Sequence, residues 1–526
     1  MEFETLEVAV ISLLLIISAV GAAVGFLRLP YPVALVLTGL ALGALLRGPL
    51  PWLRDLELEE LRLTPDVILF LLLPPLLFDA TLHIEAKALR RTLLPIGLLA
   101  VPGVLLTATI VGALIHWGIG LGWAAAFLFG AIVAATDPIA VLAIFKKLRA
   151  PHGLELIVEG ESLFNDGTAV VLAGILQGVV LAGAFSPTGA IVSFIVVVGG
   201  GLIVGLIAGA VASRLTAQID DHLIEITLTT ILTFGTFLIS EWLHVSGVIA
   251  VVAAGLVLGN VGAARGMSPT TRLALLTFWE YIAFLINSII FLLIGLQIDL
   301  TSLGDNLLPI AIAIGAILLA RAVVVYGLGL VVLPLPRVLP VRWLHVLFWS
   351  GLRGAVSLAV VLALPFNFPQ RALLLDLTFG VVLFTLVVQG LTMQPLLRRL
   401  GLIGADERRR AYAHRRAQAL MLRAARRELD RMAAEALLSP HVFQQLDKEA
   451  EEAGAVLSTE LETIYQDNAE LKKEEVSATR EHLLRIQRAE LQSLERRGLV
   501  DSETARELAE EVDAQRVAVQ GGTGIH

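Results

Sequence analysis

The first 400 residues repeat one pattern: apolar windows of about 20 residues, separated by short polar or Pro/Gly links. A helix of that length matches the hydrocarbon thickness of a bilayer and satisfies its own backbone hydrogen bonds there. Thirteen windows can be drawn, at 6–27, 31–48, 64–82, 92–116, 122–146, 154–182, 188–213, 222–243, 246–261, 272–298, 306–333, 342–364 and 372–397. They are called spans 1 to 13 in chain order. An all-α membrane protein of about 13 transmembrane helices is expected. Arg28–Pro30, Ser186–Pro187 and Pro334–Pro340 read as turns. The separations least marked in the sequence are near His244, between spans 8 and 9, and in the Pro-rich middle of span 3. Span 1 follows the acidic start MEFETLE, without a basic leader or a small-residue cleavage site, and reads as a retained helix. A mean hydropathy of +0.81 excludes an ordinary soluble domain, and the lack of cysteine excludes disulfides and thiolate metal sites.

Charge divides the chain in two. Of 86 Asp, Glu, Lys and Arg side chains, 43 fall in residues 401–526. Residues 1–400 therefore read as a transmembrane domain and 401–526 as a charged helical tail. The alternate links that include 1–2 and 11–12 carry Arg28, Lys87, Arg90, Arg91, Lys146, Lys147, Arg149, Arg214, Arg265, Arg272, Arg337 and Arg342. The opposite side carries Arg47, Arg54, Arg62 and Arg371. This bias puts the N-terminus outside and the tail in the cytoplasm, the parity that an odd number of spans requires. The basic run ERRRAYAHRR after span 13 suits anionic headgroups or ordinary positive-inside bias.

Three polar interruptions sit inside otherwise apolar spans, where ionisable groups are costly and mark ion or substrate paths. In span 5, Thr136-Asp137-Pro138 predicts a helix that breaks in mid-membrane and restarts, with Asp137 as N-cap. Freed carbonyls and the Thr136 hydroxyl then become candidate cation ligands. In span 12, Gly351-Leu352-Arg353-Gly354 predicts a second break. Asp137 and Arg353 lie 216 positions apart, and the same offset carries span 4 onto span 11 and span 6 onto span 13. An inverted repeat with two discontinuous, crossing helices follows, its opposed helix ends neutralised by a carboxylate and a guanidinium.

The third interruption is VEGESLFNDGTAV in span 6. Ser162 and Asp166 share a face at i and i+4, and Asn165 adjoins Asp166. Glu161 lies about 140° round the helix from Asp166 and needs its own partner. Arg321, alone in the apolar run of span 11, is the candidate for a structural ion pair. Glu155, Glu159, Glu225, Glu280 and Asp376 read as capping or headgroup-level residues, the first two also placed to draw cations inward. No histidine has metal-ligand spacing, and no cofactor fingerprint appears.

These motifs resemble the monovalent cation:proton antiporter family, in its electroneutral branch of Na⁺/H⁺ exchangers with charged bacterial tails. ATDPIAVLAIF, EGESLFNDGTAVVL, LLPPLLFDATLHI and SGLRGAVSLAV look like its signatures, in its order, over roughly residues 10–398. The resemblance implies a core bundle, spans 4–6 and 11–13, moving against a homodimer-forming domain made of the remaining spans. It implies Asp166 as the ion-binding aspartate, with Asn165, Ser162, Thr136 and Asp137 as accompanying polar positions. Asp79 in LLFDATL falls where some members place an acid near the site. Glu161 with Arg321 resembles the family's core ion pair, and Arg353 remains a helix-end compensator.

The expected activity is exchange of Na⁺, or Li⁺ or K⁺, for H⁺ in the cell membrane, a transport function serving pH homeostasis. One carboxylate would take either a proton or a cation, one for one. A Na⁺-coupled symporter or anion carrier with crossed broken helices is the alternative, but no free basic or aromatic cluster offers a pocket for its substrate. An intramembrane hydrolase would need Asp137 and Asp166 as a dyad, and its GxGD context is absent. The chain is expected to be no enzyme, to carry no cofactor and no metal beyond the transported cation, and to bind no nucleic acid.

Overall fold

The computed structural model describes residues 3–27, 29–46, 66–148, 150–182, 186–219, 221–262, 267–298, 300–332, 340–402, 406–435, 437–466, 469–497 and 499–520. Arg28, Arg47, Arg54, Arg62, Arg149, Arg265 and Arg337 lie outside the described residues, as does most of the Pro334–Pro340 turn. Each of the thirteen windows contains helix among its described residues. Among the described residues, seven helices, including Pro187–Thr216 and Thr270–Gln297, are long and apolar enough to cross a membrane. The others are shorter or interrupted. Span 3 opens as a π-turn, Val67–Leu72, and continues without a gap as Leu73–Leu82, with Pro74 and Pro75 directly after the junction. Span 9, Gly247–Val257, ends in a second π-turn, Leu258–Gly262. Span 13 joins Arg371–Phe384 to Gly390–Arg399 through a third, Thr385–Gln389.

The turns obey local chemistry. Ser186 caps Pro187–Thr216 by accepting the Gly189 amide at 3.2 Å. His244 takes a left-handed backbone (φ 55°) and separates spans 8 and 9. Pro187–Thr216 turns Ile195, Ile203 and Ile207 outward at 59–63% exposure, an apolar surface that only lipid or another apolar face accommodates.

The chain divides into two compact units, Met1–Ile403 and Gly404–His526. The second consists of Asp406–Ala434, Pro440–Gln466, Ala469–Arg496 and Ser502–Gln520. Arg426–Asp447 at 2.8 Å and Arg415–Glu460 at 3.0 Å tie its first two helices as an antiparallel hairpin. Leu491, Ala505 and Ala509 close a small core between the last two.

Candidate functional site

Both predicted breaks occur, and they meet. Span 5 runs as Trp123–Ile132, unwinds through Ala135–Pro138 and resumes as Ile139–Leu148. Span 12 runs as Val341–Trp349, unwinds through Gly351–Gly354 and resumes as Ala355–Leu362. The amide of Asp137 donates to the Leu352 carbonyl at 2.8 Å, and the Ser357 hydroxyl donates to the Ile132 carbonyl at 2.8 Å. Each repeat thus satisfies backbone groups that the other's break leaves open, which is the condition for irregular backbone at membrane depth. Asp137 Oδ1 accepts the Ile139 amide at 3.1 Å, and its carboxylate lies against Gly354, the N-cap of Ala355–Leu362. One carboxylate therefore caps the half-helix Ile139–Leu148 and sits beside the positive end of Ala355–Leu362. A Cβ at Gly354 would overlap that carboxylate. Gly354→Ala is expected to cost about 1–3 kcal/mol and to lower transport, read as a melting temperature and a flux rate.

Span 6 is a continuous helix, His152–Ala182, and it lays its polar face on the span 5 break. The Ser162 hydroxyl donates to the Thr136 carbonyl in a short hydrogen bond. Asn165 Nδ2 donates to Thr136 Oγ1 at 2.6 Å, and Asn165 Oδ1 accepts the Thr136 amide at 3.3 Å. Asn165 spends its amide on holding Thr136 and is not on the wall of the adjoining cavity. Asp166 is different. Its side chain is buried at 7% exposure, and Oδ1 has no hydrogen-bond partner. It faces a cavity of about 90 Å³ shared with Thr136, Asp137, Ser162, Glu159 and Ser357. Carboxylate and hydroxyl oxygens converge here beside the Thr136 carbonyl, the donor set for a hard monovalent cation or a proton.

Glu161 points away from this cavity. Arg321 grips it with both terminal nitrogens, NH2 at 3.0 Å from Oε2 and NH1 in a shorter contact with Oε1. Arg321 also donates to the Leu347 carbonyl from Nε at 3.2 Å and NH2 at 2.7 Å. The pair therefore also closes the negative end of half-helix Val341–Trp349. Arg353, 1% exposed, donates to the Gly351 carbonyl at 3.0 Å, and its amide donates to Thr385 Oγ1 at 3.1 Å in the π-turn of span 13.

Other acidic residues are dispersed. Asp79 is not among the cavity's lining, to which its helix contributes Leu73, Leu76, Leu77 and Ala80; His83 Nδ1 lies 3.9 Å from its carboxylate. Glu159, expected at a capping position, instead lines the cavity. Asp376 accepts Ser302 Oγ at 2.8 Å and Asn306 Nδ2 at 2.9 Å, fastening helix Leu300–Asp305 to span 13. Glu225 is buried in the first turn of span 8, and Glu280 is exposed. Ser357 and Thr385 were not singled out in the sequence. Their signal is weak, since hydroxyls in apolar helices usually bond their own preceding turn.

A family profile, sodium/hydrogen exchanger, transmembrane, matches residues 10–399. The chain is 43% identical to the Na(+)/H(+) antiporter ApNhaP of Aphanothece halophytica over 391 residues, 74% of this chain and 73% of that one. It is 38% identical to the Na(+)/H(+) antiporter NhaG of Bacillus atrophaeus over 484 residues, 91% of each. Its fold is similar to that of the sodium proton antiporter MjNhaP1 from Methanocaldococcus jannaschii, with a TM-score of 0.62 at 22% identity over 75% of this chain and 99% of that one. The crossed half-helices and the span 6 motif thus have a family setting: this chain is a multi-pass membrane protein of the monovalent cation:proton antiporter family, of the sodium/hydrogen exchanger type.

Proposed function

We propose that the protein is a secondary antiporter that exchanges Na⁺, or Li⁺ or K⁺, for H⁺, one for one. The observation that carries the reading is Asp166 Oδ1, buried at the crossing of two broken helices without a hydrogen-bond partner. A carboxylate in that position binds a proton or a desolvated cation in turn, because either cancels its charge and both together do not fit one charge. Ser162 Oγ, the Thr136 carbonyl and Asp137 supply further oxygens, and Asn165 keeps Thr136 in place. Relatives named as Na(+)/H(+) antiporters at 38–43% identity support the choice of cargo. The core bundle of spans 4–6 and 11–13 carries the site across by moving against spans 1–3 and 7–10, which form the contact of a homodimer. The N-terminus lies outside, and residues 401–526 form the cytoplasmic tail.

Proteoliposomes with an entrapped pH dye test the exchange: adding Na⁺, Li⁺ or K⁺ outside should drive protons out, and an inert response to all three removes the reading. Stoichiometry gives a separate expectation. Glu161 is held by Arg321, and Asn165 is neutral, so one carboxylate titrates per cycle. The exchange rate should not change under an imposed potassium–valinomycin potential. A sodium-dependent current at symmetric pH would mean that a second carboxylate, Asp137 or Asp79, takes part.

A further inference from the structure

The chain passes from span 3 to span 4 through His83–Glu85, a covalent joint between the two bodies in the reading above, on which this inference rests. Glu85 has extended backbone (φ −74°, ψ 119°) and is the N-cap of helix Ala86–Ala100, yet its side chain caps nothing. The first amide of a helix needs an acceptor from somewhere. It comes from 174 residues away: Asn260 Oδ1 accepts the Ala86 amide at 2.7 Å. Asn260 Nδ2 donates to the Ile84 carbonyl at 2.9 Å and to the Leu256 carbonyl of its own helix at 2.9 Å. One side-chain amide therefore straddles Glu85 and ties both flanks of the joint to span 9.

Local backbone explains how Asn260 reaches there. It lies in the π-turn Leu258–Gly262, and a wider turn displaces side chains from the face that an unbroken α-helix would give them. One turn earlier, Gly255 lies so close to span 3 that a Cβ would overlap the Thr81 hydroxyl. Span 9 thus holds the end of span 3 by close packing and the start of span 4 by hydrogen bonds. The joint between spans 10 and 11 is fastened the other way. There Ser302 and Asn306 donate to Asp376 of span 13, which belongs to the moving bundle.

We infer that Asn260 is a positioning residue that pins the joint to the static body, so that the bundle swings about Ala86 and not about the end of span 3. Asn260 is not among the residues lining the cavity, so its loss acts on the movement and not on binding.

The test uses the full-length protein in liposomes, with Asn260→Ala and Asn260→Asp; the aspartate keeps the acceptor for Ala86 and loses both donations. Asn260→Ala should slow maximal radiolabelled-sodium exchange about tenfold with the half-saturating concentration changed less than about twofold, and Asn260→Asp should slow it less. Hydrogen exchange in peptides covering residues 84–90 should accelerate about tenfold, with residues 152–166 unaffected. A wild-type transport rate in Asn260→Ala overturns the inference. So does equal loss of sodium affinity with protection lost throughout the bundle, the mark of a general folding role. If only Asn260→Asp can be purified, the same comparison decides. If the unaltered protein moves no protons with sodium, the antiport reading fails, and hydrogen exchange at 84–90 alone decides the clamp.

Discussion

Asp166→Asn is expected to reduce cation-driven proton flux to that of protein-free liposomes, while the purified protein keeps its melting temperature and oligomeric state. The amide has nearly the size of the carboxylate, so packing around the 90 Å³ cavity survives. What it loses is the alternation of charge: a side-chain amide neither releases a proton nor neutralises a cation. The variant should also fold at least as well as the parent, since burying an uncharged amide is less costly than burying a lone carboxylate oxygen. Flux near the parent rate would transfer the shared site to Asp137 or Glu159, the other acids on the cavity wall.

The second large effect is on stability. Glu161 and Arg321 are 2% and 6% exposed, and each is the other's counter-ion. Removing either leaves an uncompensated charge in a low-dielectric interior, at a cost of about 3–5 kcal/mol. Arg321→Ala should be the more damaging, because it also strips two donations from the Leu347 carbonyl at the end of a broken helix. Glu161→Ala leaves those bonds in place. Thermal unfolding of the purified variants should therefore rank parent, Glu161→Ala, then Arg321→Ala. The double replacement should recover only part of the loss, since Leu347 stays unserved. Unchanged melting temperatures in both single variants would show that the pair is not a stabilising one.

Much of this architecture is readable from the chain because the bilayer leaves few options. Apolar length gives the spans, and proline or paired glycines inside them give the breaks at Asp137–Pro138 and Gly351–Gly354. The cost of an unpaired charge in lipid points Glu161 towards Arg321, 160 residues away, without any knowledge of packing. Helical angles alone separate Glu161 from Asp166, and the structure places them on different sides of span 6.

Tertiary structure alone decided which groups meet across helices. Periodicity tells which face of a helix is apolar, but not which neighbour lies on it or at what height. Asn165 reads as a member of the polar site and proves to be spent on Thr136; Glu159 reads as a cap and lines the cavity. Asp79 shares a helix with four lining residues and stays off the wall, because a turn of 100° per residue separates neighbours in sequence. Ser357, Thr385 and Asn260 each bond backbone more than 30 residues away, at Ile132, Arg353 and Ala86. Such bonds depend on helix register to within a fraction of a turn. That register is set by packing summed over whole helices, a property no single stretch of the sequence contains.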